Sequence, residues 1–133
     1  MRLCACLGVT LDVIEPCGFL LTDRNFRRAG MDYRGEVIRH EGWEAFRSQL
    51  PGRLLLLTTR SAQPYTDFAF ETFDTLMVGR ESAGVPDAVH DAADARLLIP
   101  MRPGMRSLNV AQAAAMVLGE ALRQTRLFPG GPL

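Results

Sequence analysis

The sequence contains no lysine, so all fifteen of its basic residues are arginine. An all-arginine set suits contact with RNA, because guanidinium groups bind phosphate through paired hydrogen bonds and stack on bases. Genomic base composition explains the same bias more simply. Fifteen acidic residues balance the fifteen basic ones, which excludes a general basic surface. Any contact with nucleic acid must therefore come from local arginine clusters or from a surface shared between subunits.

Cysteine is also scarce, with three residues at Cys4, Cys6 and Cys17. An odd number without a companion cluster of His or Cys argues against a disulfide framework and against a zinc site, so we expect no metal and predict small buried hydrophobic side chains. No apolar run reaches the roughly eighteen residues of a membrane span. Residues 1–8 are too short for a secretory signal, and we therefore expect a cytoplasmic protein.

The chain has 133 residues, of which 47% are apolar, enough for one globular domain over residues 1–133. Residues 2–7 are typical of the end of a helix closed by Gly8, and residues 11–15 of a strand stopped by Pro16. A parallel α/β fold feeds each helix from a strand, and no residues remain for a strand before this helix. We expect either a misplaced start codon or a fragment.

Three apolar segments of strand length precede polar or glycine-bearing turns: residues 54–58, 75–78 and 96–99. The first contains a continuous leucine run, which is typical of a strand buried on both faces. Because the carboxyl ends of parallel strands share one edge of a sheet, open α/β proteins bind small molecules there. The segments therefore predict an α/β fold with a parallel sheet and one shared crevice. Residues 85–92 predict a short helix between the last two strands.

Residues 36–39 predict another strand, and residues 41–50 an amphipathic helix that faces the core with Trp43, Phe46 and Leu50. His40 lies between these two elements and is a weak candidate for acid–base chemistry. A single histidine beside a helix start is more commonly a surface or capping residue.

The best-defined element is a helix that follows the third strand and an irregular loop with two arginines. Asn109 is a good N-cap, and Gln112 occupies the third helical position of a capping-box pattern. One face is apolar over three turns: Val110, Ala113, Ala114, Val117, Leu118, Ala121 and Leu122. Such a strand–loop–helix unit is a frequent small-molecule site, although an ordinary connection fits the spacing equally well. Periodicity leaves open whether the helix packs on the sheet or across a dimer interface.

Arginines cluster in the segment before the strand predicted at residues 36–39. Arg24, Arg27 and Arg28 lie within five positions, with Tyr33 just beyond them. This combination suits contact with phosphates and bases. The residues by themselves fit a solvated helix face better.

Two motifs carry a resemblance to a known family. LMVGRESAGVP (residues 76–86) and IPMRPGMRSLNV (residues 99–110) resemble the second and third motifs of SPOUT-class RNA methyltransferases. Residues 11–33, with IEPCGF and RRAGMDY, are similar to the small single-domain members that methylate the ribose 2′-hydroxyl of the tRNA wobble nucleotide. The resemblance implies an α/β fold with a deep C-terminal trefoil knot, S-adenosylmethionine (AdoMet) as cofactor, tRNA as substrate and an obligate homodimer.

The resemblance also implies roles for individual residues. The expected cofactor-binding residues are Leu57, Gly79, Ile99, Met101, Ser107 and Leu108. The expected catalytic residues are Arg2, Glu81, Arg106, Ser107 and Asn109. The arginine segment with Tyr33 is the expected RNA contact. An arginine keeps its proton at neutral pH and is therefore a poor base, so Arg2 is better suited to stabilising developing negative charge.

The sequence departs from the family pattern at the N-terminus, where the family's first strand and Asn/Gly-rich loop have no counterpart. Exposed sheet surface would cost several kcal/mol against a total stability of about 5–15 kcal/mol, so we expect a risk of instability or inactivity. Two alternatives stay open: 2′-O-methylation of another tRNA or rRNA position, and a catalytically impaired RNA-binding module. The retained polar set disfavours the second alternative.

Overall fold

The computed structural model describes residues 2–14, 37–61, 63–79, 85–105 and 109–130. The chain forms two compact units, which we call the N-terminal unit (Met1–Gln49 with Phe128–Leu133) and the main unit (Leu50–Leu127). None of the helices in these described ranges has the length and apolar character that a membrane crossing requires.

The N-terminal unit begins with helix α1 (Arg2–Leu7). The helix ends at Gly8, whose φ of +67° is a left-handed conformation that glycine adopts without a steric penalty. The backbone N–H of Val9 then donates to the carbonyl of Cys4 at 2.8 Å, which satisfies an otherwise unpaired helix end. The predicted helix end at Gly8 is confirmed.

Strands β1 (Leu11–Ile14) and β2 (Val37–His40) form a parallel pair in the same unit. His40 is only 7% exposed, and its Nε2 lies 2.8 Å from Oδ1 of Asp12. The His40 ring also meets the ring of Phe46 edge-on, with 5.1 Å between the centroids. His40 is therefore a packed core residue with a carboxylate partner, and the expectation of a surface or capping residue is wrong.

Helix α2 (Trp43–Arg47) is shorter than the predicted ten residues, and Phe46 is its buried residue. Trp43 is half-buried. The prediction of buried cysteines is wrong at both described positions, since Cys4 is half-buried and Cys6 is exposed. Residues two apart lie on different sides of a helix, so one neighbouring surface cannot cover both. Cys17 lies outside the described residues.

The main unit contains a three-stranded parallel sheet in the order β4-β3-β5. Its strands are β3 (Leu54–Leu57), β4 (Thr75–Met77) and β5 (Ala95–Leu97). Leu55 of the central strand lies opposite Leu76 on one side and Ala95 on the other. The first three residues of β3 are fully buried, as the leucine run predicts for a strand covered on both faces. The predicted parallel α/β fold is confirmed.

Two helices and one 3₁₀ turn (Tyr65–Asp67) connect and cover this sheet. Helix α3 (Asp87–Ala92) lies between β4 and β5 in the chain, and helix α4 (Val110–Thr125) follows β5. Val117 of α4 is fully buried in a core cluster with Leu55, Phe70 and Leu97. The part of the apolar face of α4 around Val117 and Ala121 therefore packs on the sheet.

The amino-terminal edge of the sheet is held by charged groups. Arg53, just before β3, donates two hydrogen bonds to Asp74, just before β4, at 2.8 and 2.7 Å. Asp94, just before β5, accepts a hydrogen bond of 2.7 Å from the backbone N–H of Leu54. Each strand of the sheet thus begins at a fixed charged residue.

The C-terminal turn of α4 is tied to the chain segment between the 3₁₀ turn and β4. Gln124 accepts from the N–H of Phe70 at 2.8 Å and donates to the carbonyl of Phe68 at 2.9 Å. Glu120 accepts hydrogen bonds from Arg123 and Gln124. These bonds, that of Arg123 most strongly, lower the pKa of the Glu120 carboxyl to about 2. The contacts fix the position of α4 over the sheet.

Candidate functional site

The carboxyl ends of β3, β4 and β5 lie along one edge of the parallel sheet. Leu57 is the last residue of β3, Gly79 follows the end of β4 by two residues, and Ile99 follows the end of β5 by two residues. Three residues predicted to bind the cofactor, from distant parts of the sequence, are therefore brought to the same edge. Strand order places β3 between the other two.

Half-buried apolar side chains mark this edge. Burial along β3 is complete up to Leu56 and becomes partial at Leu57. Leu57 and Ile99 both pack against the core cluster while part of each side chain stays accessible. Met101, the next predicted residue along the loop, is also half-buried. The edge thus presents apolar surface that a planar ring can cover.

The loop after β3 is hydrogen-bonded to β5 and to its continuation. The Thr58 N–H donates to the Leu97 carbonyl at 2.9 Å, and the Ser61 hydroxyl donates to the Arg96 carbonyl at 2.5 Å. Farther along, the Leu98 N–H donates to Gln63, and the Tyr65 N–H donates to Leu98, each at 2.9 Å. The loop therefore runs beside the segment that leads to Ile99 and fixes its path.

The sequence marks the loop after β3 as polar, but it does not identify Ser61 or Arg60 as functional residues. The partner of Ser61 is a backbone carbonyl 35 residues away, and no sequence pattern signals such a contact. Arg60 is exposed beside it, and its side chain contacts Asp87 of α3 at 3.4 Å. Both residues lie within four positions of Leu57, the last residue of β3.

Asn109 is the one predicted catalytic residue whose side chain the described ranges include. Its Oδ1 accepts from the N–H of Ala111 at 2.8 Å and from that of Gln112 at 3.4 Å, which confirms the predicted N-cap of α4. Capping occupies the carbonyl oxygen of the side chain. The amide NH₂ group is the part of Asn109 that can serve a substrate.

Several predicted site residues lie outside the described residues: Glu81, Arg106, Ser107, Leu108, Arg24, Arg27, Arg28 and Tyr33. Arg2 is the first residue of α1 in the N-terminal unit, where only its backbone is described. The roles expected for all of these residues stay predictions. Within the described ranges, no group of three or more His, Cys, Asp or Glu side chains is arranged to hold a metal ion.

Comparison with known proteins identifies the family to which the chain belongs. The family model of the SpoU rRNA methylases matches residues 1–119. The chain belongs to the SpoU rRNA methylase family. It is 63% identical over 129 residues to the tRNA (cytidine(34)-2′-O)-methyltransferase of Beijerinckia indica, covering 93% of this chain and 81% of that protein. It is 40% identical over 138 residues to the Escherichia coli protein of the same name, covering 100% and 87%.

Solved structures of SpoU-type enzymes have the same fold. One, from work on 2′-OH methylation of C/U34 on tRNA, superimposes with a TM-score of 0.86 at 36% identity, over 92% of this chain and 83% of that chain. Another is the SpoU methyltransferase AviRb from Streptomyces viridochromogenes in complex with AdoMet. It has a TM-score of 0.76 at 28% identity, over 92% of this chain and 53% of that chain.

The apolar character of this edge is compatible with AdoMet, the cofactor bound in the AviRb structure. An adenosine group needs apolar surface for its ring and nearby backbone groups for its polar edge. Leu57, at the end of the otherwise fully buried β3, and Ile99 and Met101, in the segment after β5, are half-buried apolar residues.

Proposed function

We propose that this protein transfers a methyl group from AdoMet to the ribose 2′-oxygen of the wobble nucleotide, position 34, of tRNA. The observation that carries the proposal is the 63% identity, over nearly the whole chain, to a tRNA (cytidine(34)-2′-O)-methyltransferase. The position of Leu57, Gly79 and Ile99 at one edge of a parallel sheet supports it, because ligands of open α/β sheets bind outside the carboxyl ends of the strands.

The proposed cofactor residues are Leu57, Gly79, Ile99, Met101, Ser107 and Leu108. The apolar side chains would cover the adenine ring, and Gly79 would let the cofactor approach the backbone, since a side chain there would block it. When bound, AdoMet supplies an electrophilic methyl group on sulfur. These residues would hold AdoMet with its methyl group toward the ribose 2′-oxygen, so that transfer of the methyl would leave S-adenosylhomocysteine and release the 2′-hydroxyl proton to solvent.

The proposed catalytic residues are Arg2, Glu81, Arg106, Ser107 and Asn109. Their task is to hold the 2′-hydroxyl in line, help remove its proton and fix the neighbouring phosphate. Positioning of two reactants supplies much of the rate in such reactions. The capping bonds of Asn109 support its part, because they hold the side chain at a fixed place and leave the NH₂ group for the substrate.

Three further features belong to the proposal and are supported by the resemblance to the family. The C-terminal part forms a trefoil knot within a single SPOUT domain, and two copies of the chain form a homodimer with shared sites. Arg24, Arg27, Arg28 and Tyr33 contact the tRNA. The substrate makes the cytoplasm the expected place of action.

The test is methyl transfer from isotope-labelled AdoMet to tRNA, followed by mass-spectrometric mapping of 2′-O-methylated nucleosides. We expect label at position 34, and no label in a matched tRNA that carries 2′-deoxyribose at that position. Label at another position would support the alternative that a different tRNA or rRNA site is modified. Binding of tRNA without transfer would support an RNA-binding module. Absence of AdoMet binding in calorimetry would contradict the proposal.

A further inference from the structure

Arginines of the main unit differ in how firmly their side chains are held. Arg53 makes two hydrogen bonds with Asp74, and Arg96 donates to the carbonyls of His90 and Ala93. Among the residues that the structure describes, the side chain of Arg60 instead has one contact, of 3.4 Å, with Asp87.

The Arg60–Asp87 pair is weak for a physical reason. The two side chains are 61% and 85% exposed, so water screens the pair on nearly all sides. Exposed pairs of this kind contribute little to stability. The guanidinium of Arg60 can therefore leave Asp87 for a better anion at small cost.

The backbone on both sides of Arg60 is fixed although its side chain is exposed. The Arg60 N–H donates to Oγ1 of Thr58 at 3.0 Å. On the other side, Ser61 donates to the Arg96 carbonyl at 2.5 Å and accepts from the N–H of Gln63 at 3.1 Å. A side chain that extends from a fixed backbone loses less conformational entropy on binding than one on a mobile loop. The backbone at Arg60 is thus held in place before any ligand binds.

The position of Arg60 indicates which ligand this is. Arg60 follows Leu57 by three residues, at the edge where Gly79 and Ile99 also lie. A ribose that presents its 2′-hydroxyl at this edge carries phosphates on both of its sides. The planar guanidinium group binds phosphate through two parallel hydrogen bonds, which the exposed carboxylate of Asp87 does not receive here.

We propose that Arg60 binds a backbone phosphate of the RNA substrate at the rim of the cofactor site, and that this phosphate displaces Asp87. The inference rests on the proposed function and adds a substrate contact to it. Asp87 acts as an internal competitor, which holds the guanidinium at the rim while no RNA is bound.

The test measures tRNA binding at several salt concentrations. Loss of one phosphate contact lowers the slope of log K against log salt by about 0.7–0.9, which corresponds to about five- to eightfold weaker binding at 0.1 M salt. We expect this result for Arg60→Ala, with AdoMet affinity and the thermal unfolding midpoint unchanged. Arg60→Lys keeps the charge and is expected to recover most of the slope.

Arg123→Ala is the matched control. Arg123 is 69% exposed and also pairs with a carboxylate, but it lies in the last turn of α4, beside the contacts of Gln124 with Phe68 and Phe70. We expect it to leave the slope unchanged. Asp87→Asn removes the competitor and is expected to strengthen tRNA binding two- to threefold, on the order of the ~0.5 kcal/mol typical of an exposed pair.

Equal effects of Arg60→Ala and Arg123→Ala would overturn the inference, because net charge alone would then explain them. A loss of AdoMet affinity in Arg60→Ala as large as the loss of tRNA affinity would also overturn it. Methyl transfer by the unchanged protein is measured in parallel. If the wild-type protein binds tRNA but transfers no methyl group, the proposed function is contradicted, while the salt dependence of tRNA binding still tests the role of Arg60. An unchanged protein that binds no tRNA contradicts both.

Discussion

Replacement of Asn109 by serine separates the capping role that the structure shows from the catalytic role that we propose for another atom of the same side chain. Oδ1 of Asn109 caps α4 through the N–H groups of Ala111 and Gln112, at 2.8 and 3.4 Å. Serine is an equally good N-cap, so Asn109→Ser should keep the cap and lose the amide NH₂ group. Asn109→Ala should lose both.

The expected magnitudes differ enough to be measured. Loss of an N-cap costs about 1 kcal/mol, which for a chain of this size lowers the thermal unfolding midpoint by about 3–5 °C in Asn109→Ala. The midpoint of Asn109→Ser should stay within about 1 °C of the unchanged protein. Loss of a hydrogen-bond donor that acts in the transition state costs about 100-fold in kcat, and we expect this loss in both variants.

The assays are thermal unfolding followed by circular dichroism and single-turnover methyl transfer to tRNA, with AdoMet affinity measured by calorimetry. Full activity of Asn109→Ser would refute a catalytic role and leave Asn109 as a cap alone. An unchanged midpoint in Asn109→Ala would refute the capping argument. Asn109→Asp is a second test, because it keeps the cap and the shape but has no NH₂ group.

Three other predictions concern stability. Arg53→Ala leaves the 5%-exposed carboxylate of Asp74 without its charged partner, and should cost about 2–3 kcal/mol in urea unfolding; a cost below about 0.5 kcal/mol would contradict the buried pair. Leu55→Ala removes a fully buried side chain and should cost about 2–5 kcal/mol, whereas Met116→Ala on the exposed side of α4 should stay within about 0.5 kcal/mol; equal costs would contradict the packing of the sheet. Hydrogen bonds with Arg123 and Gln124 lower the pKa of Glu120 from its usual 4.5 to about 2, so the folded state favours the charged carboxylate. The contribution of Glu120 to the stability of the fold is therefore complete above about pH 4.5 and declines as the pH falls toward 2. The difference in unfolding midpoint between Glu120→Gln and the unchanged protein should therefore shrink over that range, and a constant difference would contradict the assignment.

Local pattern predicted the elements of the main unit well. The leucine run indicated a strand buried on both faces, and Leu54, Leu55 and Leu56 are fully buried. Asn109 and the apolar stripe predicted the start and the inward face of α4. These features succeed because capping and periodicity depend on residues within a few positions of one another.

Several features could not be predicted because their partners lie far away in the sequence. His40 pairs with Asp12, 28 residues earlier, so its neighbours in the chain say nothing of that contact. The same holds for Ser61 and the carbonyl of Arg96. Exposure of Cys6 depends on which side of α1 is covered, which composition does not specify.

For this protein, the sequence by itself determined the parallel α/β class, the positions of the three main strands to within two residues at each end, and the family that its motifs resemble. Only the tertiary structure decided that β3 lies in the centre of the sheet, that α4 packs on the sheet, and that Arg60 extends from a fixed backbone at the edge where the strands end. Strand order and loop contacts arise from pairing between segments some 20 to 40 residues apart. The free energy of such pairing depends on the whole packed arrangement, and no local stretch of the chain encodes it.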